Sequence, residues 1–153
     1  MPTISRRALL LSAGALALVR PALAATPPIH VLKDPTCPCC TEWVAVLEAD
    51  GFSVTVETVE DAALLQFKVE SGIPEAAYSC HTAQIDGYIL EGHVPPADVR
   101  RLVAERPEAV GLAVPGMPYG SPGMGPETER EAYDVVLIGK DGATSVYTAY
   151  PAA

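Results

Sequence analysis

The apolar run Ile29-His30-Val31-Leu32 is cut short by the turn signal Asp34-Pro35, and a helical pattern starts directly behind it at Pro38. A strand that hands over to a helix through a short turn commits the chain to an α/β arrangement, because the helix must lay its apolar stripe back on the sheet. That stripe holds Trp43, Val44, Val46 and Leu47, with Gly51 as its stop. Next, "FSVTVET" alternates Phe52, Val54 and Val56 against Ser53, Thr55 and Glu57, which predicts a half-buried strand. Residues 60–71 return to helical spacing through Leu64, Phe67 and Lys68 and end at Gly72. "CHTAQ" and "YILEG" then flank Asp86-Gly87, a two-residue hairpin signal. A third helix is predicted from Pro96, through Val99, Leu102 and Val103, stopping before Pro107.

The resulting order, β-α-β-α-β-β-α, matches a thioredoxin-like core of the α/β class, with a cysteine-rich turn after the first strand and at the opening of the first helix. Two pieces extend it. Gly111 to Pro126, "GLAVPGMPYGSPGMGP", holds five glycines and four prolines and is expected to be a loop. "YDVVLIG" and "TSVYTAY" bracket Lys140-Asp141-Gly142 and predict a C-terminal β-hairpin. No repeat or linker divides residues 25–153, which read as a single domain.

Residues 1–24 are expected to be an export signal peptide rather than part of the fold. Arg6-Arg7 precede an apolar run from Ala8 to Val19, and Ala22-Leu23-Ala24 forms an A-x-A cleavage site. The paired arginines, with Arg20 near the cleavage site, resemble a twin-arginine signal, and the run is too short to span a bilayer. The expected location is therefore periplasmic. Removing the segment takes three of the ten basic residues and none of the nineteen acidic ones, so seven face nineteen and the net charge moves from −9 to −12. Such a surface is a poor match for nucleic acid or anionic lipid, whose phosphates need Lys and Arg. It is compatible with collecting cations.

Three of the four cysteines, Cys37, Cys39 and Cys40, fall in "DPTCPCC". An oxidising compartment favours structural disulfides, yet a bridge stabilises according to the loop it closes, and three cysteines in four residues close almost none. With Pro38 at the first helical position, Cys37 becomes the N-cap and Cys40 stands three residues on, the Cys-x-x-Cys spacing. A thiolate there faces unpaired N–H groups and the positive end of the helix dipole, which lowers its pKa. Cys39 is surplus to a dithiol enzyme but useful as a metal ligand. Cys80 and His81 come at the start of the third strand, where a thioredoxin carries a cis-proline. No proline lies between Pro74 and Pro95, so a thiol and an imidazole stand in its place.

Met117 and Met124, the two methionines left after cleavage, both lie in the Gly/Pro loop. Thioethers are poor ligands for zinc and good ones for Cu(I), so thiolates with paired methionines and imidazole select copper. Among the histidines, His93 in "LEGHVPP" is the stronger candidate. His81 is expected to face away if Cys80 faces the site, because neighbours on a strand point to opposite faces. His30 is expected to be structural or solvent-facing. Ser-His-Asp catalysis has no supporting motif.

On "PTCPCCTEWV", "SCHTAQIDGYILEGHVP" and "GLAVPGMPYGSPGM", the chain resembles a family of exported CxCC metal-binding proteins that includes the periplasmic CopG-type copper-resistance proteins. The resemblance implies a thioredoxin-like fold, a role in copper resistance, and Cu(I) held as a cysteine-bridged multinuclear cluster, with redox conversion of copper as a further implication. It implies Cys37, Cys39 and Cys40 as bridging thiolates and Met117 and Met124 as ligands closing the site. Cys80 and His93 fall in its matching segments. Three functions stay open at this point. One is a periplasmic copper-binding protein, with a copper exporter or another periplasmic copper protein as partner. The others are a thiol–disulfide oxidoreductase using Cys37 and Cys40, and a metallochaperone for an exported oxidase.

Overall fold

A computed structural model of the protein describes residues 26–153, and the expected export segment, residues 1–24, lies outside them. The chain runs through β1 (Ile29–Lys33), α1 (Pro38–Ala49), β2 (Val54–Thr58), α2 (Asp61–Glu70), β3 (His81–Ile85), β4 (Tyr88–Glu91), α3 (Pro96–Glu105), β5 (Ala109–Ala113), β6 (Tyr133–Gly139) and β7 (Thr144–Tyr150). Short 3-10 turns sit at Glu75–Ala77 and Glu127–Glu129. The first seven of these elements follow the predicted β-α-β-α-β-β-α order. Among the described residues, no helix is long and apolar enough to cross a membrane.

One seven-stranded sheet, ordered β2-β1-β3-β4-β5-β6-β7, carries everything. β1 pairs parallel with β2 and antiparallel with β3, β3 pairs antiparallel with β4, and β4 pairs parallel with β5. The β3–β4 turn at Asp86-Gly87 has the two positive φ values, 47° and 85°, of a two-residue hairpin. α1 buries Cys40, Trp43, Val44 and Leu47, the i, i+3, i+4, i+7 stripe of a helix lying on a sheet. Each of the large apolar side chains among these contributes roughly 1.5–3 kcal/mol by leaving water. They meet Ile29, Val31, Leu90, Leu112 and Val135 in one continuous core.

Two expectations are corrected here. The predicted loop at Gly111–Pro126 begins inside a strand: β5 covers Ala109–Ala113 and is buried along most of its length. A short apolar run buried on both faces has no alternation to betray it, and its glycine disguised it as a turn. That glycine is demanded by the strand pairing, since a Cβ on Gly111 would stand 1.8 Å from the Ile89 carbonyl oxygen. The predicted C-terminal hairpin is present as β6 and β7, and it extends the sheet because β6 pairs antiparallel with β5. Finally, β2 is an edge strand whose alternation is only partly used: Phe52 is buried before it begins, while Val56 stays 46% exposed.

Candidate metal centre

The topology collects the candidate residues at one edge of the sheet. β1, β4 and β5 run in the same direction, and the chain leaves each of them there, at the carboxyl ends where open α/β sheets place their ligands. β3 runs the opposite way, so it starts where the others stop. Cys37 follows β1, Cys80 immediately precedes β3, His93 follows β4, and the Gly/Pro loop follows β5.

Cys37 is the N-cap of α1. Its backbone is extended (φ −88°, ψ 96°), Pro38 takes the first helical position, and Sγ accepts the Cys40 N–H at 3.3 Å. Cys40 lies on the core-facing stripe and is fully buried, whereas Cys39, about 100° round the helix, is half-buried. Cys37 and Cys40 are joined as a disulfide with Cα atoms 5.4 Å apart, and Cys39 and Cys80 are free. The Cys39 sulfur stands 3.5 Å from that of Cys37 and 3.9 Å from that of Cys80. All four sulfurs lie within 4.8 Å of one another.

On the inner side of Cys80 are two imidazoles. His93 Nε2 is 3.1 Å and His81 Nδ1 is 3.3 Å from the Cys80 sulfur, and both rings are fully buried. The expectation that His81 faces away fails because Cys80 stands before the first paired residue of β3, where strict strand alternation has not yet begun. His81 is packed between the Trp43 indole, 4.4 Å between centroids, and the His93 ring, 5.1 Å away edge-on. The Trp43 indole N–H donates to the Val94 carbonyl at 2.9 Å and so ties α1 to the segment carrying His93. His81 Nε2 is the one buried side-chain nitrogen or oxygen among the described residues without a hydrogen-bond partner. Such an orphan costs about 1–3 kcal/mol. His30, by contrast, lies on β1 beside the edge strand β2, whose Thr55 and Glu57 each stand 3.1 Å from one ring nitrogen.

Burial sets the protonation of this pocket. It pushes the Cys80 thiol up to about 12, with the neighbouring Cys39 adding to the effect. It holds His81 well below the usual imidazole range, helped by His93, and lowers His93 as well. A neutral thiol beside two neutral imidazoles is the result, a set of donors that sheds one proton when a metal takes the sulfur.

The loop after β5 is anchored on both flanks of the cysteines. The Gly116 N–H donates to the Tyr78 carbonyl at 3.0 Å, and the Ser79 hydroxyl donates to the Gly116 carbonyl. Farther on, Gly123 lies so close to α1 that a Cβ would meet the Trp43 nitrogen at 2.6 Å and the Cys39 carbonyl oxygen at 3.0 Å. The Pro122 carbonyl accepts from His93 Nδ1 at 2.8 Å. Met117 follows the first anchor and is 54% exposed, while Met124 follows the second and is half-buried.

Sequence reasoning missed the support beneath Cys80. Glu91, fully buried at the end of β4, accepts the Ser79 N–H at 2.6 Å and the Thr82 hydroxyl at 2.6 Å, and it pairs with the buried Lys68 of α2. Burial raises the Glu91 carboxyl while the Lys68 ammonium pulls it down. The signal was present: Lys68 falls on the apolar face of its helix, and Glu91 ends an otherwise apolar strand.

The family described as a protein of unknown function, DUF411, matches residues 77–124, which include Cys80, both buried histidines and both loop methionines. No curated protein matches the chain. Two solved structures do. Copper resistance protein CopG, form 1, is 45% identical with a TM-score of 0.76, over 82% of this chain and 98% of that one. Form 2 is 47% identical with a TM-score of 0.76, over 82% of this chain and 99% of that one. Identity of this order across nearly the whole length of both relatives, with the cysteine cluster in place, shows that the chain belongs to the family of the copper resistance protein CopG.

Proposed function

We propose that this chain is a periplasmic copper-binding protein acting in copper resistance, which takes Cu(I) into a cysteine-bridged, multinuclear site. The observation that carries the reading is the convergence of Cys37, Cys39, Cys40 and Cys80 from two distant segments, with all four sulfurs within 4.8 Å of one another. Thiolates are soft donors that favour Cu(I), and sulfurs this close can bridge ions. Met117 and Met124, on a loop anchored to both flanks of the cluster, would supply thioethers of the same preference. His93 would join from the buried side. Family membership supports the copper assignment.

A thioredoxin-like core is part of this reading, with the Cys37–Cys40 turn facing the start of β3. So is export by residues 1–24, which would deliver the chain to an oxidising compartment where the Cys37–Cys40 bond persists. A copper exporter or another periplasmic copper protein is the expected partner. Two electrons and two protons convert the disulfide into two thiols, so full Cu(I) capacity belongs to the reduced protein.

The disulfide itself favours a second reading, thiol–disulfide exchange through Cys37 and Cys40 at the helix N-terminus. That activity predicts reduction of insulin that survives Cys39→Ser and replacement of both methionines.

Anaerobic Cu(I) titration followed by native mass spectrometry separates the two. The copper reading expects at least one tightly held Cu(I) per chain, more in the reduced than in the disulfide form, and weaker binding once Met117 and Met124 are replaced. Less than one tight Cu(I), or indifference to the methionines, would overturn it.

A further inference from the structure

We propose that Lys33 is a specificity residue for the centre: its buried ammonium, which has no carboxylate partner, favours monovalent over divalent metal in the four-cysteine cluster. The inference rests on the copper reading above and adds to it a residue outside the donor set.

Strand alternation puts Lys33 where an apolar residue belongs. Ile29, Val31 and Lys33 share the buried face of β1, and the first two join the core with Trp43 and Leu47 of α1. Lys33 ends that row with only 9% of its surface exposed, and it pairs across the sheet with His81 of β3. Its ammonium donates to the Asp34 carbonyl at 3.0 Å and to the Cys37 carbonyl at 3.5 Å. It therefore sits at the base of the cysteine turn.

Residues 26–153 hold seven lysines and arginines. Lys68, Arg100, Arg101, Arg106, Arg130 and Lys140 each have a carboxylate within ion-pair distance. Lys33 has none among the described residues. Its sequence neighbour Asp34 is exposed, and that carboxylate is engaged by the Thr36 N–H at 2.6 Å and by the Thr36 hydroxyl. The other buried ammonium, Lys68, shows the ordinary arrangement, for it lies against Glu91. A charge buried without an opposite charge is costly, so the exception at Lys33 calls for a counter-charge that arrives with function. Thiolates of the loaded cluster are the negative groups at hand, since the ammonium is already bonded to the backbone of Cys37.

Charge counting turns this into selectivity. Four thiolates bring four negative charges, of which a monovalent ion cancels one and a divalent ion two. For equal numbers of ions the Cu(I) cluster is the more negative, by one charge per ion, and a fixed positive charge beside it stabilises it more. Softness of the sulfur donors selects copper. Lys33 adds a preference for its lower charge state.

Competition titrations of the reduced protein with Cu(I) and, separately, with Zn(II) test this in the unaltered chain and in Lys33→Met, Lys33→Gln and Lys33→Arg. The two neutral variants should lower the ratio of Cu(I) to Zn(II) affinity by about tenfold, the order expected of one charge acting through an effective dielectric of about 20. Lys33→Arg should keep the ratio. Without metal the sign reverses: Lys33→Met should unfold at denaturant concentrations no lower than the unaltered protein, because an apolar side chain removes the unpaired buried charge. Equal losses for the two ions would make Lys33 a fastener of the turn and overturn the proposal. So would an unchanged ratio, a Lys33→Arg that behaves like Lys33→Met, or a metal-free Lys33→Met that fails to fold. Failure of the unaltered protein to bind Cu(I) would sink the copper reading itself, so the two failures are told apart.

Discussion

The sulfur half and the imidazole half of this centre are built by opposite means. Cys37, Cys39 and Cys40 come from one turn of one helix, the first two partly open to solvent, and their placement follows from local rules: an N-cap, a proline at the first position, and 100° per residue. His81 opens β3 and His93 follows β4; both are fully buried and depend on Trp43, the Pro122 carbonyl and the Lys68–Glu91 pair for their positions. A local motif tolerates disturbance elsewhere in the fold. An assembled pocket inherits every weakness of the elements that meet in it.

Disrupting the buried ion pair should expose that contrast most strongly. Glu91→Ala strands the Lys68 ammonium and frees the Ser79 N–H that leads into Cys80, and a loss of about 3–5 kcal/mol is expected in denaturant unfolding. Combining Glu91→Leu with Lys68→Met should recover most of it, since an apolar replacement leaves no buried charge. A loss under about 1 kcal/mol in Glu91→Ala would mean that the pair does not support the pocket.

Trp43→Phe attacks the link between the halves. It leaves the Val94 carbonyl without its donor and removes the indole from His81, for an expected loss of about 1–3 kcal/mol by the same measurement. The N-cap geometry at Cys37 should persist, and Cys37–Cys40 disulfide formation, followed by thiol counting, should stay intact.

Acidity gives the next effect in size. With the Cys80 thiol held near 12, the group is protonated throughout the neutral range and each metal bond to its sulfur displaces one proton. Metal affinity measured by competition should therefore rise with pH, about tenfold or 1.4 kcal/mol per unit for that proton. A flat profile between neutral and mildly alkaline pH would show that the metal bypasses Cys80.

The smallest effect belongs to His30. Its contacts with Thr55 and Glu57 are exposed, so His30→Ala should change stability by no more than about 0.5 kcal/mol and leave metal binding untouched. Equal sensitivity of His30 and His93 to substitution would remove the distinction between surface and pocket histidines.

Much of this could be read before any coordinates. The strand–turn–helix opening, the helix stripes, the hairpin at Asp86-Gly87 and the cysteine N-cap all rest on interactions among residues close in sequence, whose periodicity and turn chemistry are written in the chain itself. The surplus Cys39 and the two loop methionines likewise announced soft-metal chemistry by residue type alone. The tertiary structure decided what depends on distant neighbours: that Ala109–Ala113 pairs as a strand, that the last hairpin continues the same sheet, and that Lys68 finds Glu91. It also decided that His81 and Cys80 meet, because Cys80 stands just outside β3, where strand alternation does not set its direction, while Trp43 and His93 pack on the His81 ring. Local patterns thus specified the three-cysteine turn, and only long-range packing brought Cys80 and the two imidazoles beside it.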